Sequence, residues 1–164
     1  MVGLQSHRWE HTHFQCRRRD HVRGENTHAR QYRAMKHLTP REAWPLVQQR
    51  PDALFIDVRM EIEALYVGRP PGVAIIPWYE YPDMVADPIG FANTVLREAQ
   101  DPSRMVIIIC RSGKRSVDAG LALEAAGFTD VVNVLHGFEG ELDDHFHRST
   151  ISGWRFDGLP WEQM

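Results

Sequence analysis

Apolar residues between Ala53 and Val134 arrive in short, dense blocks separated by polar stretches and prolines. The blocks are Ala53-Leu-Phe-Ile-Asp57-Val58, Val73-Ala-Ile-Ile76, Val106-Ile-Ile-Ile109 and Val131-Val-Asn-Val134. Runs of that length, rich in β-branched residues, predict strands buried on both faces. The first ends near an acid, the second stops at Pro77, and the third ends at Cys110. Helical signals lie between them. Thr39-Pro40-Arg41-Glu42 combines an N-cap, a proline at the first helical position and an acid placed to complete the cap, so a helix to about Gln49 is predicted. Phe91, Val95 and Leu96 predict one face of a helix from about Ile89 to Ala99. Val117, Leu121 and Ala125 predict the buried side of another, with Gly127 as its C-terminal stop. Gly137-Phe-Glu-Gly140 opens a final helix or turn.

Strands alternating with helices imply right-handed crossovers and an α/β fold whose parallel sheet is covered on both faces. Ligands of such sheets bind beyond the carboxyl ends of the strands, and Cys110 lies at one of these ends. The folded domain is expected over residues 37–148. Residues 1–36 lack a sustained period and are expected to form a disordered tail or, with Met35 as the alternative start, to be non-native. Residues 149–164, with Trp154, Phe156 and Trp161, are expected to pack back on the domain or to serve as a dimer contact.

Charge divides the chain. Residues 1–37 carry eight Lys/Arg against three Asp/Glu, a net of +5, and the remainder carries eleven against nineteen, a net of −8. A mildly acidic folded part argues against nucleic acid as a partner. No run reaches the ~18 apolar residues of a membrane span, and the N-terminus has no apolar signal core. Two cysteines in unlike settings do not make a disulfide framework, and a reducing, cytoplasmic location is expected. His11, His13 and Cys16 fall short of the ligand set of a structural zinc site, so no metal is expected.

Within the acidic domain, the segment Cys110-Arg111-Ser112-Gly113-Lys114-Arg115-Ser116 is locally cationic. It joins a predicted strand to a predicted helix. Backbone N–H groups at a helix start have no helical partner and can point at an anion. Gly113 permits the backbone angles of a tight loop, and Ser116 is placed either to donate a hydroxyl hydrogen bond or to cap the helix. Such an environment favours a thiolate, so Cys110 is expected to be a nucleophile that handles an anionic substrate. A structural cysteine at a strand end is the plainer alternative. It leaves three cations and a glycine in the next five positions without explanation.

The loop resembles the active-site loop of the rhodanese (sulfurtransferase) superfamily, whose pattern is a cysteine, four residues and an arginine. Leu38-Thr-Pro-Arg-Glu-Ala43, Ile56-Asp57-Val58-Arg59 and Asn133-Val-Leu-His-Gly-Phe138 are similar to rhodanese segments in the expected order. The tail, with Gly153-Trp-Arg155 and Gly158-Leu-Pro-Trp161, is similar to that of single-domain bacterial members. The resemblance implies a rhodanese-like central parallel sheet of about five strands, and no cofactor. It implies that Cys110 takes the outer sulfur of a donor such as thiosulfate, becomes a persulfide, and passes the sulfur to cyanide or a thiol. A sulfur-carrier or regulatory rhodanese module that delivers sulfur to a partner protein is the alternative. Phosphatases and arsenate reductases share the fold, but phosphatases of that type have a loop one residue longer.

The resemblance also distributes roles. Arg111, Lys114 and Arg115 would attract the dianionic donor, with Arg115 alternatively a structural residue. Ser112 stands where some thiosulfate-preferring members carry lysine. Asp57 and Arg59 would brace the site through an ion pair or loop hydrogen bonds, in preference to a catalytic role. Gly68-Arg69-Pro70 replaces the family's usual Gly-His-Ile and is expected to be a local loop change. His136, His145 and His147 are expected at the surface or in packing roles. Trp78 and Tyr79 suit either the pocket mouth or the core.

Overall fold

A computed structural model describes residues 34–163. Five strands form one parallel sheet, β1 (Lys36–Leu38), β2 (Leu54–Asp57), β3 (Ala74–Ile75), β4 (Val106–Ile109) and β5 (Val131–Val134), in the order β1-β5-β4-β2-β3. Every pairing is parallel. The helices are α1 (Pro40–Gln49), α2 (Glu61–Val67), α3 (Pro88–Ala99) and α4 (Arg115–Ala125). The expected α/β architecture is therefore the observed one.

The β-branched block of β4 sits at the centre and is buried along its whole length. Its pleat sends Val106 and Ile108 to one side, where Phe91, Ala92, Val95 and Ala99 of α3 and Ala119 and Leu123 of α4 cover them. Ile107 and Ile109 face the other side, where Ala43 and the partly buried Trp44, Leu46 and Val47 of α1 meet Phe55 and Trp154. The period of two along the strand thus supplies both cores. Trp154 is fully buried, stacked on Phe55 at 5.8 Å and edge-on to Trp44 at 5.5 Å. At the start of α1, the Glu42 carboxylate accepts the Thr39 N–H at 2.8 Å, as the capping signal predicts.

Three details differ from the sequence expectation. Lys36 opens β1 and Met35 is buried, so both belong to the folded domain and not to a tail. The buried side of α4 is Ser116, Ala119, Gly120 and Leu123, while Leu121 and Ala125 are exposed. Met35 explains the rotation: its sulfur lies so close over Gly120 that any larger residue there would overlap it. Leu96 of α3 is exposed, because Ala92 and Ala99 share the buried face with Phe91 and Val95. Of the helix or turn expected at residues 137–140, the turn is the one observed. The candidate ligands His11, His13 and Cys16 lie outside the described residues.

Candidate active site

β4 delivers Cys110 to the carboxyl edge of the sheet, and α4 starts at Arg115, with Lys114 as its N-cap. The intervening loop curls back over the sulfur. The Gly113 N–H donates to Cys110 Sγ at 3.1 Å, and the Ser116 hydroxyl donates to it at 3.2 Å. Of the two roles expected for Ser116, contact with the sulfur is the one observed. Cys110 is 1% exposed, yet its sulfur faces hydrogen-bond donors and the positive end of the α4 dipole.

A second turn holds this loop in place. The Phe138 N–H donates to the Cys110 carbonyl at 2.7 Å, and the Glu139 N–H donates to the Arg111 carbonyl at 2.9 Å. The approach is close enough to require glycine on both sides. Gly113 has φ +86, and a Cβ there would lie 2.8 Å from the His136 nitrogen. Gly137 has φ +60, and a Cβ there would overlap the Cys110 carbonyl oxygen.

The three loop cations have separate surroundings. Arg115 makes a bidentate pair with Glu63 of α2, Nη1–Oε2 and Nη2–Oε1 both at 2.7 Å, and its guanidinium lies 5.1 Å over the Tyr79 ring. Burial works to raise the Glu63 carboxyl, but the bonds from Arg115 and the Met60 N–H outweigh it and hold Glu63 below the usual carboxylate range. Burial likewise works to lower Arg115, and Glu63 more than offsets it. The geometry fits the structural alternative for Arg115 better than donor attraction, because its charge is already matched, although the side chain turns inward to Glu63 and not outward. Lys114 is well exposed and only loosely associated with Glu141, at 3.8 Å. Arg111 is exposed and makes no ion pair among the described residues. Ser112 is half-buried on the loop.

Beneath the loop, Asp57 and Arg59 are both fully buried. Asp57 accepts from Arg59 Nε at 2.9 Å and Nη2 at 2.6 Å, and Nη2 also reaches the Gly68 carbonyl at 2.7 Å. The guanidinium lies 4.4 Å over Phe138 and 3.6 Å from Glu139 Oε1. Arg59 therefore supports the very turn that grips the Cys110 and Arg111 carbonyls. Within Gly68-Arg69-Pro70, the Gly68 carbonyl joins this network, and Arg69 pairs with Glu162 at 3.1 Å. Trp78 belongs to the core, edge-on to Phe91 at 5.2 Å, while Tyr79 sits at the site under Arg115. His136, His145 and His147 are exposed.

Sequence reasoning missed Glu63 and Glu139. Neither lies in the cysteine loop, and Glu63 is 52 residues from its partner.

The model of the rhodanese-like domain matches residues 39–142. This chain belongs to that family. Rv0390 from M. tuberculosis, known from a crystal structure, is 38% identical, with a TM-score of 0.67 over 79% of this chain and 98% of that one. The thiosulfate sulfurtransferase of Pseudomonas aeruginosa is 25% identical, with a TM-score of 0.56, over 79% of this chain and 20% of that chain. An uncharacterised protein of Rickettsia conorii is 24% identical over 134 residues, covering 79% of this chain and 98% of the relative. Among the described residues, no helix of this rhodanese-like protein is long and apolar enough to cross a membrane.

Proposed function

We propose that the chain is a sulfurtransferase that moves sulfane sulfur from an anionic donor such as thiosulfate to a thiophilic acceptor through a Cys110 persulfide. The observation that carries this reading is the sulfur itself. It ends a central strand at the start of α4, accepts an amide and a hydroxyl hydrogen bond, and has the exposed Arg111 beside it.

In the first half-reaction, the Cys110 thiolate attacks the outer sulfur of thiosulfate. The S–S bond of the donor breaks, sulfite leaves with the electron pair, and the enzyme carries a persulfide anion. Gly113 and Ser116 stabilise negative charge on sulfur before and after the step, as oxyanion-hole donors do for oxygen. Arg111, assisted by Lys114, draws the dianion to the loop. In the second half-reaction, an acceptor nucleophile attacks the terminal sulfur and Cys110 returns to thiolate. No residue need move a proton at the cysteine, consistent with three histidines that stand at the surface.

Ser112, Gly113 and Ser116 shape the loop, and Asp57, Arg59 and Arg115 hold it from below and beside. Four residues separate Cys110 from Arg115, and Arg115 is occupied by Glu63, an arrangement that favours sulfur over a tetrahedral phosphate. Cys110→Ser tests the assignment. Transfer from thiosulfate to cyanide should vanish, and activity retained in that variant would refute the proposal.

A further inference from the structure

A groove of about 840 Å³ lies between α2 and the chain after β3. Its floor and walls include Ile62, Leu65, Tyr66, Tyr81 and Met84. These side chains are strongly exposed for their type: Tyr66 is 70% exposed and Tyr81 78%. A cluster of large apolar groups in water marks an interaction surface. The rim is acidic. Glu61, Glu80 and Glu162 line it against a single cation, Arg69, whose charge Glu162 already matches.

The position relates the groove to the chemistry. Ile75, at the carboxyl end of β3, lines the groove, and Cys110 follows the carboxyl end of β4, so both open on one edge of the sheet. The helix α2 serves both. Glu61, Ile62, Leu65 and Tyr66 face the groove, while Glu63 reaches across to Arg115 of the catalytic loop. The two surfaces differ in sign: the loop presents Arg111 and Lys114, suited to a small dianion, and the groove presents carboxylates around an apolar floor.

We propose that this groove docks a basic, apolar polypeptide segment of a partner protein that presents the acceptor thiol to the Cys110 persulfide. The charge of the rim selects the occupant. A lysine- or arginine-bearing segment meets Glu61 and Glu80, which make no ion pair among the described residues, whereas an acidic one meets like charge. The proposal rests on the sulfurtransferase reading. In the transfer, the partner's thiolate attacks the terminal sulfur of the persulfide anion. The S–S bond breaks, Cys110 leaves as thiolate, and the transferred sulfur carries its negative charge to the partner as a new persulfide anion.

The test uses a synthetic peptide of leucine, phenylalanine and lysine with one cysteine, and a counterpart with every lysine replaced by glutamate. Fluorescence anisotropy measures binding to the full chain, and intact mass measures sulfur received by the peptide. The basic peptide should bind, more weakly at high salt, and Glu61→Lys combined with Tyr66→Ala and Tyr81→Ala should weaken it by at least ~10-fold. Its cysteine should receive sulfur faster than free cysteine does from wild type, and that advantage should disappear in the variant. Equal binding of the acidic peptide, or binding unchanged in the variant, overturns the proposal. So does a dimer of wild type that the variant abolishes, since the occupant is then a second copy. Persulfide formation with thiosulfate is measured on the same samples. Its absence alongside groove-dependent binding would overturn the transferase reading and leave the docking surface standing.

Discussion

Cys110 meets two donors because two glycines let two backbones touch. Gly113 closes the loop under the sulfur, and Gly137 lets the following turn seize the Cys110 and Arg111 carbonyls. Gly137→Ala should therefore cost stability of about 2 kcal/mol or more, from left-handed strain and displaced backbone. Thermal melting should fall, and sulfur transfer should fall further than the fraction unfolded explains. Arg111 has the opposite character, exposed and free of any ion pair among the described residues. Arg111→Ala should raise KM for thiosulfate by roughly 10-fold, the equivalent of one charge-assisted hydrogen bond, and leave melting unchanged. A changed kcat with unchanged KM would place Arg111 outside donor capture. The loop residues were legible from sequence because cysteine, glycine and cations stand within seven consecutive positions. The division of labour among the cations was not, since it depends on Glu63, a residue remote in sequence.

The helix α2 carries that division, and nothing in the chain announced it. It spans seven residues, and Ile62, Leu65 and Tyr66 face out of the fold, so the usual apolar stripe is absent. The strand β1 escaped notice for a related reason: Lys36-His-Leu is short, polar and at the sheet edge. The long β-branched blocks, buried on both faces, were legible at once. Glu63→Gln leaves Arg115 without its partner in a mostly buried pair and should cost about 2 kcal/mol, below the ~3–5 kcal/mol of a fully buried pair. The pH dependence has a definite sign. The folded-state carboxyl lies below its ordinary value, so its stabilisation is present above the ordinary range of about 4.3 and is lost as pH falls through the depressed value. Melting curves of wild type and variant should differ from neutral pH down to that range and converge below it. A gap that persists into strong acid would show that Glu63 acts by packing, not by charge.

The described chain closes on itself through its last residues. Trp154 fills the core between Phe55 and Trp44, its ring nitrogen donates to the Pro160 carbonyl at 2.8 Å, and Arg69 and Glu162 bridge the segment to the loop after α2. Aromatic richness made this tail legible as a packing element, but its partners depend on the sheet already being built. Trp154→Ala should destabilise the fold by ~3–5 kcal/mol, while residual folded protein should still form the persulfide. Loss of persulfide chemistry without loss of melting temperature would contradict a purely structural role. The described residues then present a sulfur held by two donors, exposed cations on its loop, and an acidic, apolar groove on the same edge of the sheet. All of this turns on negative sulfur at position 110 accepting a second sulfur atom. Intact-mass spectrometry of the purified protein after exposure to thiosulfate measures that directly. Wild type should gain the mass of one sulfur atom, lost again on addition of cyanide, and Cys110→Ser should gain nothing. An unmodified wild type, or sulfur gained equally by the variant, would contradict the account.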